Sequence, residues 1–177
     1  MAGEGWVVIR TLSRVRGPAA LLVVGALAWL VSASGRGQSM PLENLDHFPQ
    51  ASLTIRSQHH VWHFTVWVAD TPSRQVQGLM FVRDLPAHQG MIFPMRPARI
   101  AQFWMANTYI PLDMLFVAPD GRIEKIAANA TPFSLKTISS GSPVEAVIEI
   151  QGGLARKLGV EVGARISWKK PSRVTAG

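Results

Sequence analysis

The chain has 177 residues, of which 47% are hydrophobic and 16% are charged. This balance predicts a folded domain with an apolar core and excludes wholesale disorder. The chain has no cysteine, which excludes disulfides, zinc–thiolate sites, thiol nucleophiles and a cysteine-linked lipid anchor. The net charge of +7 indicates a basic surface, but the basic residues beyond the N terminus are scattered along the sequence, so we expect no nucleic-acid partner.

The first 35 residues have the pattern of a secretory signal peptide or an N-terminal membrane anchor. Three arginines come first, an uninterrupted apolar run fills residues 18–31, and small residues fill 32–35. This order is typical of a cleavable signal, and the run is shorter than the ~20 apolar residues of a membrane span. An uncleaved anchor is the alternative, and it would touch the membrane only through residues 18–31. Both interpretations predict a periplasmic or otherwise extracytoplasmic protein.

The segment after the apolar run predicts a tether followed by one domain. Residues 36–51 contain glycine, serine, proline and asparagine, which is typical of a flexible tether. We expect the domain to span residues 52–170 and a short tail to fill 171–177.

The first half of the domain carries clear strand and helix signals. Apolar residues alternate from Val61 to Val68, which predicts a strand with one buried face, after a shorter strand around Leu53 and Ile55. Thr71 is a suitable N-cap for a helix over residues 72–80. Gly78, inside this predicted helix, indicates close packing against a strand.

The second half predicts further strands and one more short helix. Pro119-Asp120-Gly121 predicts a hairpin turn, and Glu145, Val147 and Glu149 are expected on the wet face of a half-buried strand. The predicted strands lie at residues 90–93, 101–105, 112–118, 122–128, 144–150 and 166–168, and the helical turns at 153–158 end at Gly159. Short strands with two short helices predict an α+β domain built on a curled, barrel-like, mostly antiparallel sheet.

Five motifs resemble those of the domain of unknown function 192 family, in the same order along the chain. They are ADTPSRQVQGLMF (69–81), LPAHQGMIF (85–93), FWMANTYIPLDMLF (103–116), DGRI (120–123) and VIEIQGG (147–153). The resemblance covers about residues 53–169. It implies a small secreted or membrane-tethered protein with a compact, β-rich α+β fold, and it implies no reaction, substrate or cofactor. Val82 and Ala106 stand where the family usually has basic residues, which weakens any role for those positions in holding an anion.

Polar residues within the FWMANTYIPLDMLF motif form the candidate ligand-binding site. Asn107 and Thr108 suit either a tight loop or a site, since asparagine tolerates left-handed backbone. Asp113 lies inside an apolar strand, where a carboxylate must be hydrogen-bonded or paired. It would either tie the adjacent loop to its strand or face a pocket beside Trp104 and Asn107.

Other polar clusters carry weaker signals. Asp70 and Arg74, at the start of the predicted helix, form a candidate structural ion pair, and Asp113 is the alternative partner of Arg74. His59 and His63 would stand about 13 Å apart on a strand, too far for one metal ion. The methionines of the domain are expected in the core, although thioethers can bind Cu(I). We expect neither a metal ion nor another cofactor.

Three functions remain open from the sequence. The first is an exported domain that binds a small polar ligand or an envelope protein near Trp104, Asn107 and Asp113. The second is a cell-envelope hydrolase or lyase with Asp113 as general base. The third is a Cu(I)-binding protein that uses Met105, Met114 and a histidine.

Overall fold

The computed structural model describes residues 42–169, and the predicted signal or anchor (1–35) and tail (171–177) lie outside them. The described residues form mainly strands. In chain order the elements are a 3-10 turn Leu45–His47, β1 Gln50–Arg56, β2 Val61–Val68, α1 Pro72–Gln77, β3 Gln89–Phe103, β4 Leu112–Val117, β5 Ile123–Ala130, β6 Ile138–Gln151, α2 Leu154–Leu158 and β7 Arg165–Lys169. Neither helix of residues 42–169 has the length and apolarity needed to cross a membrane.

All seven strands belong to one sheet, in the order β5-β4-β6-β3-β2-β1-β7. Only β2 and β3 pair in parallel, and the other neighbours are antiparallel. The sheet curls until its two edges meet at one end: the backbone N–H of Ile123 donates to Ala164 and that of Ile166 donates to Gly121, both at 2.8 Å. The expected curled, mostly antiparallel sheet with two short helices is therefore confirmed, although strands dominate the fold.

Apolar side chains cover both faces of the central strands. One core packs Leu53, Val66 and Ile148 against α2, and the other packs Phe93, Phe116 and neighbouring side chains on the opposite face. All six residues of β4 are buried, as are residues 146–150 of β6. The expected wet face of β6 is therefore wrong at Val147 and Glu149, because β6 is a central strand whose two faces are both covered.

Helix α1 is shorter than predicted. Thr71 caps it by accepting a hydrogen bond from the Arg74 N–H, and Pro72 opens it, as the sequence indicated. Gly78 ends the helix instead of continuing it, because its φ of 51° is outside the helical region. Gly78 does lie against a strand, since a Cβ there would be 3.4 Å from the Phe93 ring.

The predicted strands at 90–93 and 101–105 are the two ends of one strand, β3. Its pairing with β6 shifts register between Pro94 and Arg99. Strand signals fade where β3 is locally irregular, which explains why the sequence pattern divides it.

The segment before β1 is folded against α1. Phe48 is buried, and Glu43 accepts two hydrogen bonds from the Arg74 guanidinium, at 2.5 and 2.9 Å. Strand β1 begins at Gln50. These residues fall within the predicted tether (36–51), so the described part of that segment is structured.

Candidate functional site

Asp113 is fully buried and held by three backbone donors. Its Oδ1 accepts the N–H of Asn129 at 2.7 Å and of Gly153 at 2.8 Å, and its Oδ2 accepts the N–H of Ala155 at 2.8 Å. These bonds join β4 to the end of β5 and to the first turn of α2, and they compensate the burial of the charge. Asp113 is thus placed as a structural carboxylate, without access to a substrate.

The other residues of the predicted site lie apart from Asp113. Trp104 is 57% exposed and lines a cleft. Thr108 lines the same cleft, where its hydroxyl donates to the carbonyl of Ala106 at 3.1 Å. Asn107 adopts a left-handed φ of 53° in the turn beside the cleft. The structure therefore brings Trp104 and Thr108 together, with Asn107 next to them.

The cleft lies between α1, the segment after it and β3, and its volume is about 370 Å³. This size falls in the range of small-molecule sites. Its apolar lining comes from Val76, Leu79, Met80, Phe93, Met95, Ile100, Ala101, Phe103 and Trp104. A few polar groups interrupt this surface: Gln75, Gln77, Arg99, Gln102, Thr108 and Glu149. An apolar lining with few polar groups is typical of sites that bind a mostly apolar molecule in a fixed orientation.

Glu149 is a polar residue of the cleft that the sequence pattern placed on a solvent-facing side of β6. It is 4% exposed, and β6 places it directly between Met91 of β3 and Met114 of β4. Its Oε2 has no hydrogen-bond partner within residues 42–169. Burial raises the pKa of the Glu149 carboxyl to about 8, so the group is mainly protonated at neutral pH. It is therefore a neutral hydrogen-bond donor in an apolar surrounding.

One sequence signal could have pointed to Glu149. The sequence of β4 does not alternate between apolar and polar residues, which indicates a strand with both faces covered. In the strands that pair with such a strand, residues on both faces are also expected to be buried. That β6 is this neighbour follows only from the strand order. A buried acid with a perturbed pKa beside a cleft is a candidate for function.

Left-handed backbone occurs in the segments next to the cleft residues Met80 and Thr108. Phe81, Asn107 and Phe133 have φ values of 64°, 53° and 60°; asparagine tolerates this region, whereas phenylalanine avoids it. Hydrogen bonds hold their segments together: the N–H of Phe81 donates to Asn107 at 2.8 Å, and the N–H of Phe133 donates to Thr108 at 3.3 Å. Phe81 and Phe133 are therefore strained positions, and backbone strain of this kind is found most often at binding and catalytic sites.

The Asp70–Arg74 ion pair is present at the start of α1. Arg74 Nη1 lies 2.9 Å from Asp70 Oδ1, and the same guanidinium holds Glu43. The hydrogen bond from Arg74 lowers the pKa of Glu43, and that bond also raises the pKa of Arg74. Arg74 does not reach Asp113, which was the other partner open to it.

The histidines and methionines considered as metal ligands lie on strands, in a turn and in the core. His60 stacks on Trp62 with 5.6 Å between ring centres, and His63 lies on β2 beside Thr54. Across residues 42–169, no three His, Asp or Glu side chains are grouped so that they could hold a metal ion. Met105 and Met114 are buried in the same core cluster.

Comparisons with known proteins give a family and two solved structures. The DUF192 family model, described as "Uncharacterized ACR", matches residues 53–168. A protein of unknown function from Novosphingobium aromaticivorans is 38% identical, with a TM-score of 0.69, over 72% of this chain and 91% of its own. A putative transcription regulator from Sinorhizobium meliloti is 38% identical, with a TM-score of 0.67, over 68% of this chain and 95% of its own. No curated protein matches the chain.

Proposed function

This chain belongs to the DUF192 family, and we propose that it is a binding protein for a small molecule with an apolar body and one hydrogen-bond acceptor. The observation that carries the proposal is the Glu149 carboxyl, which is buried and unpartnered at Oε2 in the wall of the cleft. A buried polar group without a partner costs about 1–3 kcal/mol. A ligand that accepts the Glu149 proton in a hydrogen bond would recover part of that cost.

The surroundings of Glu149 define the rest of the ligand. Phe93, Phe103 and Met95 offer an apolar surface for its body, and the exposed Trp104 ring can cover one side of it. Thr108 and Arg99 add polar groups, and the Arg99 guanidinium donates to Gln75 at 3.3 Å. This assignment keeps Trp104 and Thr108 from the sequence-based site and replaces Asp113 by Glu149.

We further propose that binding takes place outside the cytoplasm. The support is the order of arginines, apolar run and small residues in the first 35 residues. The description of the Sinorhizobium meliloti protein as a putative transcription regulator does not favour DNA as the ligand here. Helices α1 and α2 have six and five residues, and recognition helices that read the major groove are longer.

The test compares three six-carbon probes on the purified full chain: hexanamide, hexanoate and hexylamine. We expect hexanamide, at millimolar concentration, to raise the melting temperature most, because its carbonyl accepts from the neutral Glu149 carboxyl. Glu149→Gln should keep this shift, since its amide still donates a hydrogen bond, whereas Glu149→Leu should lose it. Trp104→Ala should reduce the shift while leaving the unliganded protein as stable, because Trp104 is exposed.

Three results would contradict the proposal. If hexylamine binds best and Glu149→Gln abolishes its binding, Glu149 acts as a carboxylate for cations. If Glu149→Leu leaves all shifts unchanged, the cleft is not the binding site. If none of the three probes shifts the melting temperature of the wild type, the cleft does not bind molecules of this class.

A further inference from the structure

Three arginines that are scattered in the sequence lie side by side in the fold. Arg165 of β7 is directly opposite Arg56 of β1. Its backbone also forms an isolated antiparallel β-bridge with Arg122, beside the β4–β5 turn. Directly opposite residues in a sheet point to the same face, with Cβ atoms about 5 Å apart. All three arginines are exposed, and their chain neighbours Ile55, Ile123 and Ile166 are buried. The guanidinium groups therefore share one outer surface.

This arrangement is unfavourable for the protein alone, because like charges directly opposite each other destabilise a sheet. Backbone carbonyls nevertheless hold two of the groups in position. Arg122 Nη1 donates to Gly163 at 3.1 Å, and Arg165 Nη1 donates to Asp120 at 3.0 Å. The Arg56 guanidinium makes no hydrogen bond or ion pair within residues 42–169. Each guanidinium thus keeps free donors.

The three arginines line an open cavity of about 570 Å³. The turn between β1 and β2 contributes His59 and His60 to it, and the only carboxylate in the lining is Glu161. The carboxylate of Asp120 lies 3.6 Å from Arg122 Nε, with both side chains more than half exposed. Such an exposed contact is weak and leaves most of the positive charge uncompensated.

We propose that this cavity binds a phosphate group. Guanidinium forks match the oxygen spacing of phosphate and carboxylate, and three guanidinium groups lining one cavity favour a compact group with several charged oxygens. The phosphate belongs either to a soluble molecule or to the headgroup of an anionic lipid. This site shares no lining residue with the cleft around Glu149, so it is independent of the function proposed above.

Calorimetric titration of the full chain with inorganic phosphate tests the proposal. The wild type should bind, and Arg165→Gln, which removes the central group, should weaken binding at least about tenfold. Arg56→Gln should weaken it as well, and it removes no internal hydrogen bond. Arg156→Gln is the matched control, because Arg156 is exposed on α2 and does not line the cavity. It should bind as tightly as the wild type.

Vesicle binding distinguishes the two sources of phosphate. Vesicles of phosphatidylglycerol are compared with vesicles of phosphatidylcholine, and the measured quantity is the difference between Arg165→Gln and Arg156→Gln. A lower affinity of Arg165→Gln for the anionic vesicles alone would assign the site to lipid headgroups. Phosphate binding without a vesicle difference would assign it to a soluble ligand. The proposal is wrong if Arg165→Gln and Arg156→Gln behave alike in both measurements, because the attraction would then come from diffuse charge.

Discussion

Glu149→Gln should change how the stability of the protein depends on pH. Burial raises the pKa of Glu149 to about 8 in the folded protein, from the ordinary value of 4.5 for a glutamate. Between these two values the unfolded chain releases the proton while the folded protein keeps it. The free energy of unfolding must therefore fall as the pH rises from about 4.5 to about 8, and the contribution of this group is constant outside that window.

The magnitude follows from the difference between the two pKa values. Each pKa unit corresponds to about 1.4 kcal/mol, so Glu149 alone should lower the free energy of unfolding by about 3 kcal/mol between pH 4 and pH 7. The loss should reach about 5 kcal/mol above pH 8. Against a total stability of about 5–15 kcal/mol for a domain, this loss is large. The glutamine side chain has a similar volume and does not ionise, so Glu149→Gln should not show it.

Urea unfolding of both proteins, from about pH 4 to about pH 9, measures the effect as a difference. Subtracting the pH dependence of Glu149→Gln from that of the wild type removes the contributions of titratable groups that both proteins share. Among these are Glu43, whose pKa is lowered by Arg74, and Glu145, whose pKa is raised by burial. A difference curve that is flat across the whole range would refute the reasoning. It would mean that Glu149 stays ionised in the folded protein, and the hydrogen-bond donor of the proposed ligand site would be lost.

Three other changes test the roles assigned to single residues. Asp113→Asn should lower the free energy of unfolding in urea by about 3 kcal/mol, because the amide NH2 would face the N–H of Ala155. The rise in melting temperature with hexanamide should persist in the folded variant, and its loss there would return Asp113 to the binding site. Gly152→Ala should cost about 1–3 kcal/mol in the same assay, since its Cβ would lie 2.7 Å from Pro111, and an unchanged midpoint would contradict this contact. Arg74→Lys should accelerate amide hydrogen exchange at Phe48, because lysine cannot hold Glu43 with two parallel hydrogen bonds. Exchange at the wild-type rate would show that the Arg74–Glu43 ion pair does not hold the segment before β1 in place.

Local features of the fold could be predicted because their causes lie close together in the sequence. Thr71 caps a helix whose first residue is the next one in the chain, and the turn at Pro119-Asp120-Gly121 needs only its own backbone preferences. The alternating residues of β2 likewise reveal one buried face. Each of these signals acts within a few residues, so it survives any arrangement of the rest of the domain.

The site could be predicted only in part because its residues meet through long-range pairing. The donors to Asp113 come from residues 16, 40 and 42 positions away, so its role as a junction is not visible in its own motif. Glu149 alternates with apolar residues as a solvent-facing residue would, and only the position of β6 between β3 and β4 buries it. The arginine cluster depends on the same long-range order, since Arg56 and Arg165 meet only when β7 joins β1.

The contact between the two sheet edges has a consequence for how the domain folds. Strand β7 pairs with β1 across more than 100 residues of chain, and the neighbouring residues also close onto the β4–β5 turn. Contacts between such distant segments slow folding, so this closure should be a late kinetic step. Until it occurs, β1 presents open backbone donors and acceptors that can pair with another molecule. A chain that ends before β7 would keep this edge open permanently, so aggregation, rather than loss of ligand binding, should be its first defect.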